Sequence, residues 1–307
     1  MHLEAELAAL SPKRGSLITI GVFDGVHIGH QALLCRLVEN ARSRGLLSIA
    51  VTFRQHPEQL LAPQKKFSLI EAPDDKIERI RDTGVDMTLI LDFDRELADH
   101  DAESFVALLR RYLNMNGMVL GWDFALGRSR EGSLLKLEEL GKELDFSMEV
   151  VGAVMLNGEI VSSTAIRQAL SAGDIDRANA MLGRPFSLQG EVVKGSHRGT
   201  ELGFPTANLD IPENISLPAD GVYAARVQLG AKSLPAAVFI GRRPTFGGIE
   251  RIVEAHIMDY TGNLYGRRLK TDIISRMRGE LKFENIEALK SQIERDVTLI
   301  RQKLAVG

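Results

Sequence analysis

Two stretches of this chain carry side chains whose types and spacing suit phosphate chemistry. The first, TIGVFDGVHIGHQALL, sets Gly21, Phe23, Asp24, Gly25, His27, Gly29 and His30 between an apolar run and a helical pattern. Glycines let a backbone approach a phosphate chain, and a helix N-terminus offers free N–H groups and the positive end of its dipole. His27 and His30 flank that start and can donate hydrogen bonds into one pocket. Imidazole suits a transition state in which negative charge builds on phosphoryl oxygens. A glycine-rich turn bearing two surface histidines would read the same way.

The second stretch is KGSHRGTELGFPTANLDI, from Lys194 to Ile211. Gly195, Gly199 and Gly203 would let a loop close over a nucleotide. Pro205 fixes its own φ and holds Phe204 extended. Thr206 and Asn208 then share one face of an extended segment, and their oxygens are hard ligands suited to Mg²⁺. A structural turn with polar edges is the alternative. A Walker-type G-x-x-x-x-G-K-[ST] and the protein-kinase signatures are both absent from the sequence.

Two further segments are chemically suggestive. In VSSTAIRQAL, Ser162, Ser163 and Thr164 fall where a strand ends and a helix begins, and Arg167 adds a permanent cation one turn in. Helix capping alone would account for them. In RIVEAHIMD, strand alternation puts Val253, Ala255 and Ile257 on one side and Glu254 and His256 on the other. An acid on the solvent face is the common case.

These segments need a scaffold, and the apolar pattern supplies two. In the first half, runs such as SLITIGV, LLSIAVTF, DMTLILDF, GMVLG and SMEVVGAV alternate with helical patterns. Leu33, Leu34, Leu37, Val38 and Ala41 recur at helical spacing after Gly29, and Gly45 is a fitting stop. Such alternation predicts a doubly wound parallel α/β sheet, in which ligands bind beyond the carboxyl ends of the strands. After Arg184-Pro185 the runs shorten and become rich in Val and Ile, separated by Gly, Pro and Asn. That change predicts an antiparallel β-barrel followed by a terminal helix from about Ile286 to Leu304. The expected domains are therefore 1–183 and 184–307.

The length of 307 residues fits two domains of ordinary size. A net charge of −3 gives no bulk attraction to nucleic acid or to an anionic membrane. Cys35 is the single cysteine, which excludes an intrachain disulfide and a multi-thiolate metal site. The N-terminal MHLEAELAALSPKR lacks the regions of a signal peptide, and no apolar run approaches bilayer length. A cytoplasmic protein is expected.

The motifs also resemble a known family. GVFDGVHIGH is similar to the H-x-G-H signature of nucleotidyltransferases. Its longer form resembles the adenylyltransferase half of bacterial bifunctional riboflavin kinase/FMN adenylyltransferase, or FAD synthetase. VTFRQHPEQLL, GWDFALGRSREG and VSSTAIRQAL follow in family order, with departures at Gln55, Trp122 and Ala125-Leu126. GFPTAN resembles the riboflavin kinase motif, followed by GVYAARV, FIGRRPTFGG, VEAHIMDYTGNLYGRRL and MRGELKFENIEALKSQIERD. The resemblance implies two ATP-dependent transfers, riboflavin to FMN with release of ADP, then FMN to FAD with release of pyrophosphate. It implies that His27 and His30 bind ATP phosphates, that the S-S-T-x-I-R residues Ser162, Ser163, Thr164 and Arg167 contact the triphosphate, and that Asp123 matches an acid-or-amide position. It further implies that Thr206 and Asn208 meet Mg-ATP and that Glu254 is the general base. Other H-x-G-H transferases would leave the FPTAN half unexplained. A flavin-binding regulator that kept the fold with one activity or neither would be separated from an enzyme by a turnover assay.

Overall fold

Apolar runs become parallel strands in the first half, the central ones buried on both faces: β1 (Ser16–Ile20), β2 (Leu47–Phe53), β3 (Met87–Leu91), β4 (Met115–Gly121) and β5 (Ser147–Val151). They form one sheet in the order β3-β2-β1-β4-β5, with every neighbour parallel. Strand alternation divides the core. Ile18, Ile20, Ile49, Val51 and Leu91 pack on one face with the helix Ala102–Leu113. Leu17, Ala50 and Val119 pack on the other with Leu33, Leu34 and Leu37 of the helix Ile28–Ser43. This is the doubly wound arrangement expected from the sequence.

The computed structural model describes residues 2–64, 67–127, 131–195, 198–245 and 248–305. Arg128, Ser129 and Arg130 of GWDFALGRSREG, Ser196 and His197 of KGSHRG, and Phe246 and Gly247 of RRPTFGG lie outside the described residues. No described helix is long and apolar enough to cross a membrane.

The order of strands reverses between β1 and β4, so the crevice beyond their carboxyl ends is the binding position of such a sheet. The residues that leave β1 are Gly21–His30, and those that leave β4 are Trp122 and Asp123. Further on, Asn157 (φ 51°) and Gly158 (φ 83°) turn the short hairpin that joins Met155–Leu156 to Glu159–Ile160. Asn-Gly is the pair that tolerates two positive φ angles in a row.

The chain divides into two compact units, 1–67 with 72–162, and 68–71 with 163–307. The helices Ser163–Ala172 and Ile175–Leu182 thus group with the second half. Asn179 fixes that grouping locally: its side-chain amide donates to the carbonyls of Ile273 and Ile274 and accepts from the Phe186 N–H. The four residues Ser68–Glu71 also belong here. The Leu69 N–H donates to Asn214 O at 2.7 Å, and Leu69 O accepts from the Ser216 N–H at 2.7 Å. Arg184 closes on Glu71 at 3.0 Å, an ion pair of two largely buried side chains.

The second unit holds a closed barrel of β6 (Phe186–Val193), β7 (Ala207–Asp210), β8 (Gly221–Leu229), β9 (Lys232–Thr245), β10 (Gly248–Ile257) and β11 (Arg268–Gly279). The order is β6-β7-β10-β9-β8-β11, antiparallel throughout. Closure removes the exposed sheet edges that would otherwise invite aggregation. The terminal helix Ile286–Ala305 sets Ile300 and Leu304 against Val222, Ala224 and Met258. Arg226 ties its end by donating to Leu304 O at 2.7 Å.

Candidate active sites

The histidine turn is built at the start of the helix Ile28–Ser43. His27 is its N-cap, and its ring Nδ1 accepts from the His30 N–H at 3.3 Å. A nitrogen that accepts carries no proton, so the neutral ring bears its hydrogen on Nε2, ready to donate outward. The two imidazoles stack, with centroids 3.6 Å apart and planes 17° from parallel. Phe23 meets His30 edge-on at 5.2 Å. Gly29 allows the stack, because a Cβ there would stand 3.1 Å from the His27 ring.

Burial lowers the His30 pKa well below its ordinary value, and the neighbouring His27 and Lys76 lower it further. The ring is therefore neutral in the physiological range, and its buried Nδ1 has no hydrogen-bond partner within the protein. The preceding turn is unusual backbone: Phe23 (φ 53°) and Val26 (φ 31°) are both left-handed without being glycine, and both are buried. Such conformations cost about 1–3 kcal/mol each and persist only where surrounding bonds hold them. Here Gly21 N–H donates to Val51 O and Val26 N–H to Phe23 O, each at 3.0 Å. Gly25 (φ 82°) takes the third positive φ, and Asp24 is buried between. Asp123 sits exposed at the carboxyl end of β4, the strand beside β1.

Of the S-S-T-x-I-R residues, Ser162 closes the first unit, while Ser163, Thr164 and Arg167 belong to the second. Ser163 begins the helix Ser163–Ala172, as expected. Arg167 donates from Nε to Ser68 O at 2.7 Å.

In the second unit the FPTAN segment leads into β7. Register sets Asn208 directly opposite Glu254 of β10, and Glu254 opposite Phe239 of β9 on its other side. Thr206 and Glu254 both line a cavity of about 490 Å³. Its apolar wall includes Val222, Ala237, Phe239, Leu281, Phe283 and Ile293, and Arg242 and Arg243 add positive charge. Gly195 makes room for Asn208, since a Cβ there would overlap the side-chain amide. Gly203 takes a positive φ of 89°. Pro205 is held through its carbonyl, which accepts from His256 Nδ1 at 2.9 Å, while Phe204 meets the same ring edge-on at 5.5 Å. His256 thus braces the segment that carries Thr206 and Asn208.

Two family models divide the chain between them. The FAD synthetase model matches residues 10–165 and the riboflavin kinase model residues 182–304. The bifunctional riboflavin kinase/FMN adenylyltransferase of Escherichia coli strain K12 is 38% identical over 294 residues, covering 95% of this chain and 94% of that protein. The protein of the same description from Pseudomonas fluorescens is 38% identical over 304 residues, covering 98% and 97%. The chain belongs to this bifunctional family. A solved structure from Streptococcus pneumoniae, described as a macrolide-efflux protein, superposes with a TM-score of 0.88 at 30% identity, covering 94% of this chain and 95% of that one. That likeness extends the shared fold over nearly the whole chain.

For the riboflavin kinase half, motif reading found Thr206, Asn208 and Glu254 but not the far wall of the cavity. Arg278 and Asp296 line it from β11 and the terminal helix, paired at 2.7 Å with both side chains largely buried. No local motif announces a pair separated by a loop. For the FAD synthetase half, motif reading missed Lys76, which is buried on the same helix face as Ile80. Helical spacing puts it one turn from Ile80, yet a lysine in so charged a helix carries no signal of burial by itself.

Proposed function

We propose that the barrel phosphorylates riboflavin at the 490 Å³ cavity and that the parallel-sheet unit adenylylates FMN at the histidine turn, giving FAD and pyrophosphate. The observation that carries this reading is that each family match contains one built site: neutral, stacked imidazoles in the first, and an acid facing an amide beside an apolar cavity in the second. Functional domains of 1–183 and 184–307 remain our assignment, with the connecting helices serving the second unit structurally.

In the kinase step the flavin ring lies against the apolar wall, and the ribityl hydroxyl reaches Glu254. The carboxylate accepts the hydroxyl proton as the oxygen attacks the γ-phosphorus of ATP, and ADP leaves. Thr206 and Asn208 suit a divalent cation. Both are half-buried oxygen donors on one face, and no group of three His, Cys, Asp or Glu that could hold a metal occurs among the described residues. So sparse a protein ligand set fits Mg²⁺, which prefers water and nucleotide phosphates for the rest of its shell. When bound, it would neutralise charge on the phosphate oxygens. Gly195 and Gly203 let the surrounding loop approach the nucleotide.

In the second step an FMN phosphate oxygen, already anionic, attacks the α-phosphorus of ATP, and pyrophosphate leaves. No base is needed. The neutral rings of His27 and His30 donate hydrogen bonds to the phosphate oxygens, and the helix N-terminus adds its N–H groups. Gly21, Phe23, Asp24, Gly25 and Gly29 shape that turn. The match to the family motifs assigns Asp123, Ser162, Ser163, Thr164 and Arg167 to nucleotide binding. Dependence on ATP and riboflavin fits the cytoplasm.

The test is turnover of riboflavin with ATP and Mg²⁺, followed by chromatographic separation of FMN and FAD. Both products should appear, and EDTA should abolish the first. A folded, flavin-binding protein that forms neither product would return the chain to the regulator reading.

A further inference from the structure

Lys76 is only 7% exposed, more buried than any other charged residue of its helix. A buried ammonium is costly unless it is closely partnered. Its Nζ donates to Phe53 O at 2.7 Å and to Val22 O at 3.2 Å. Phe53 ends β2, and Val22 lies just past the end of β1, so one ammonium spans the carboxyl ends of adjacent strands. Val22 O also accepts from Thr52 Oγ1 at 3.2 Å.

We propose that Lys76 is a positioning residue of the adenylyl-transfer site: it pins the turn that delivers His27 and His30 and supplies the site with a fixed positive charge. The inference rests on the reading of those histidines given above. The turn needs such a pin, because Phe23 and Val26 hold left-handed backbone that the chain would otherwise leave. The chemistry needs such a charge. Adenylyl transfer gathers a flavin phosphate and a triphosphate at one point, and imidazoles that are neutral contribute dipoles without charge. The groups acting on His30 are His27 at the same helix start and Lys76 from the helix Pro73–Asp82, with Asp24 buried in the intervening turn. The lysine thus helps to keep the His30 ring a neutral donor.

Lys76→Met and Lys76→Arg test this in the full chain, with FMN adenylylation and riboflavin phosphorylation measured on the same preparation. Lys76→Met should lower kcat for FAD formation about 10–100-fold, as expected for a displaced site, and leave kinase turnover within about two-fold. Removing the positive neighbour raises the His30 pKa, so the acid limb of the adenylylation profile should move to higher pH. Lys76→Arg should keep kcat within about five-fold and leave the limb in place, since the charge is retained. A folded Lys76→Met enzyme with unchanged kcat and acid limb overturns the proposal. If Lys76→Met does not fold, Lys76→Arg decides: retained adenylylation with an unmoved limb supports the role, and a hundred-fold loss overturns it. His30→Ala separates the two levels of argument. A variant of His30 that still makes FAD would sink the site reading itself, whereas an inert one beside a fully active Lys76→Met would sink only the role of Lys76.

Discussion

Asn208 and Glu254 stand directly opposite each other on neighbouring antiparallel strands. Residues so paired have Cβ atoms about 4.5–5.5 Å apart, on the same face of the sheet. The residues proposed as metal-nucleotide ligand and as proton acceptor are thereby held at one step of the ladder, with Phe239 next in the row. Rigid strands, rather than loops, set the distance between them.

Glu254→Gln tests Glu254 as the proposed proton acceptor. Kinase turnover should fall by about 10²–10⁴, the usual contribution of a general base. Gln keeps the shape of the strand face, so riboflavin binding and adenylylation of supplied FMN should stay near wild type. The three measurements, with circular dichroism as the folding control, separate a base from a solvent-facing acid. Nearly full kinase turnover in the folded variant would establish the latter.

Gly195→Ala tests the placement of Asn208 without touching Asn208. A Cβ at position 195 overlaps the side-chain amide and must displace it. Misplacement by about 1 Å can cost about 10²-fold in rate. Kinase kcat should drop accordingly, with a raised requirement for Mg²⁺, while FAD formation from FMN is unaffected. Unchanged metal dependence would show that Asn208 does not meet the nucleotide.

His27→Asn separates capping from chemistry. Asn is a strong N-cap and should retain the bond to the position 30 N–H, whereas Ala should cost about 0.5–2 kcal/mol of stability. Both variants should lose FAD formation and keep FMN formation. If Asn restores adenylylation along with the melting temperature, His27 acts only as the cap of its helix.

Fragments test the division of the chain. Residues 163–307 should fold and phosphorylate riboflavin, with a lower melting temperature than the whole protein because the Leu69 and Glu71 contacts are gone. Net losses of about 0.5–1.5 kcal/mol per hydrogen bond are expected. Residues 184–307 should be weaker still, since Asn179 and the buried Met181 and Leu182 are missing too. Equal melting temperatures for the two fragments would show that the connecting helices add nothing to the barrel.

Periodicity in the sequence exposed both scaffolds because it records burial directly. The strands around Ile18 and Ile49 read as continuous apolar runs, as strands covered on both faces must, and the helix Ala102–Leu113 coincides with AESFVALLRRYL. The local motifs gave His27, His30, Thr206, Asn208 and Glu254, residues whose partners lie a few positions away or in a recognisable strand. The pairing of Asn208 with Glu254 was hidden, because register across a barrel depends on closure and not on either strand alone. Lys76 was hidden by its own type, as a lysine in a charged helix reads as solvated until the carbonyls of Val22 and Phe53 are located.

Ser68–Glu71 has a consequence for how the polypeptide is made and inherited. This short segment leaves the ribosome long before Asn214 and Ile215, the residues it must meet. The nascent chain therefore carries Leu69 for a time before its strand-like partners around Ile215 are synthesised. A gene split between the two catalytic halves would make that interval permanent. The upstream product would keep Leu69 without its backbone partners, and the downstream product would leave Asn214 O and the Ser216 N–H without theirs. Joint encoding of the two transferases thus also supplies the second with backbone bonds it would otherwise lack.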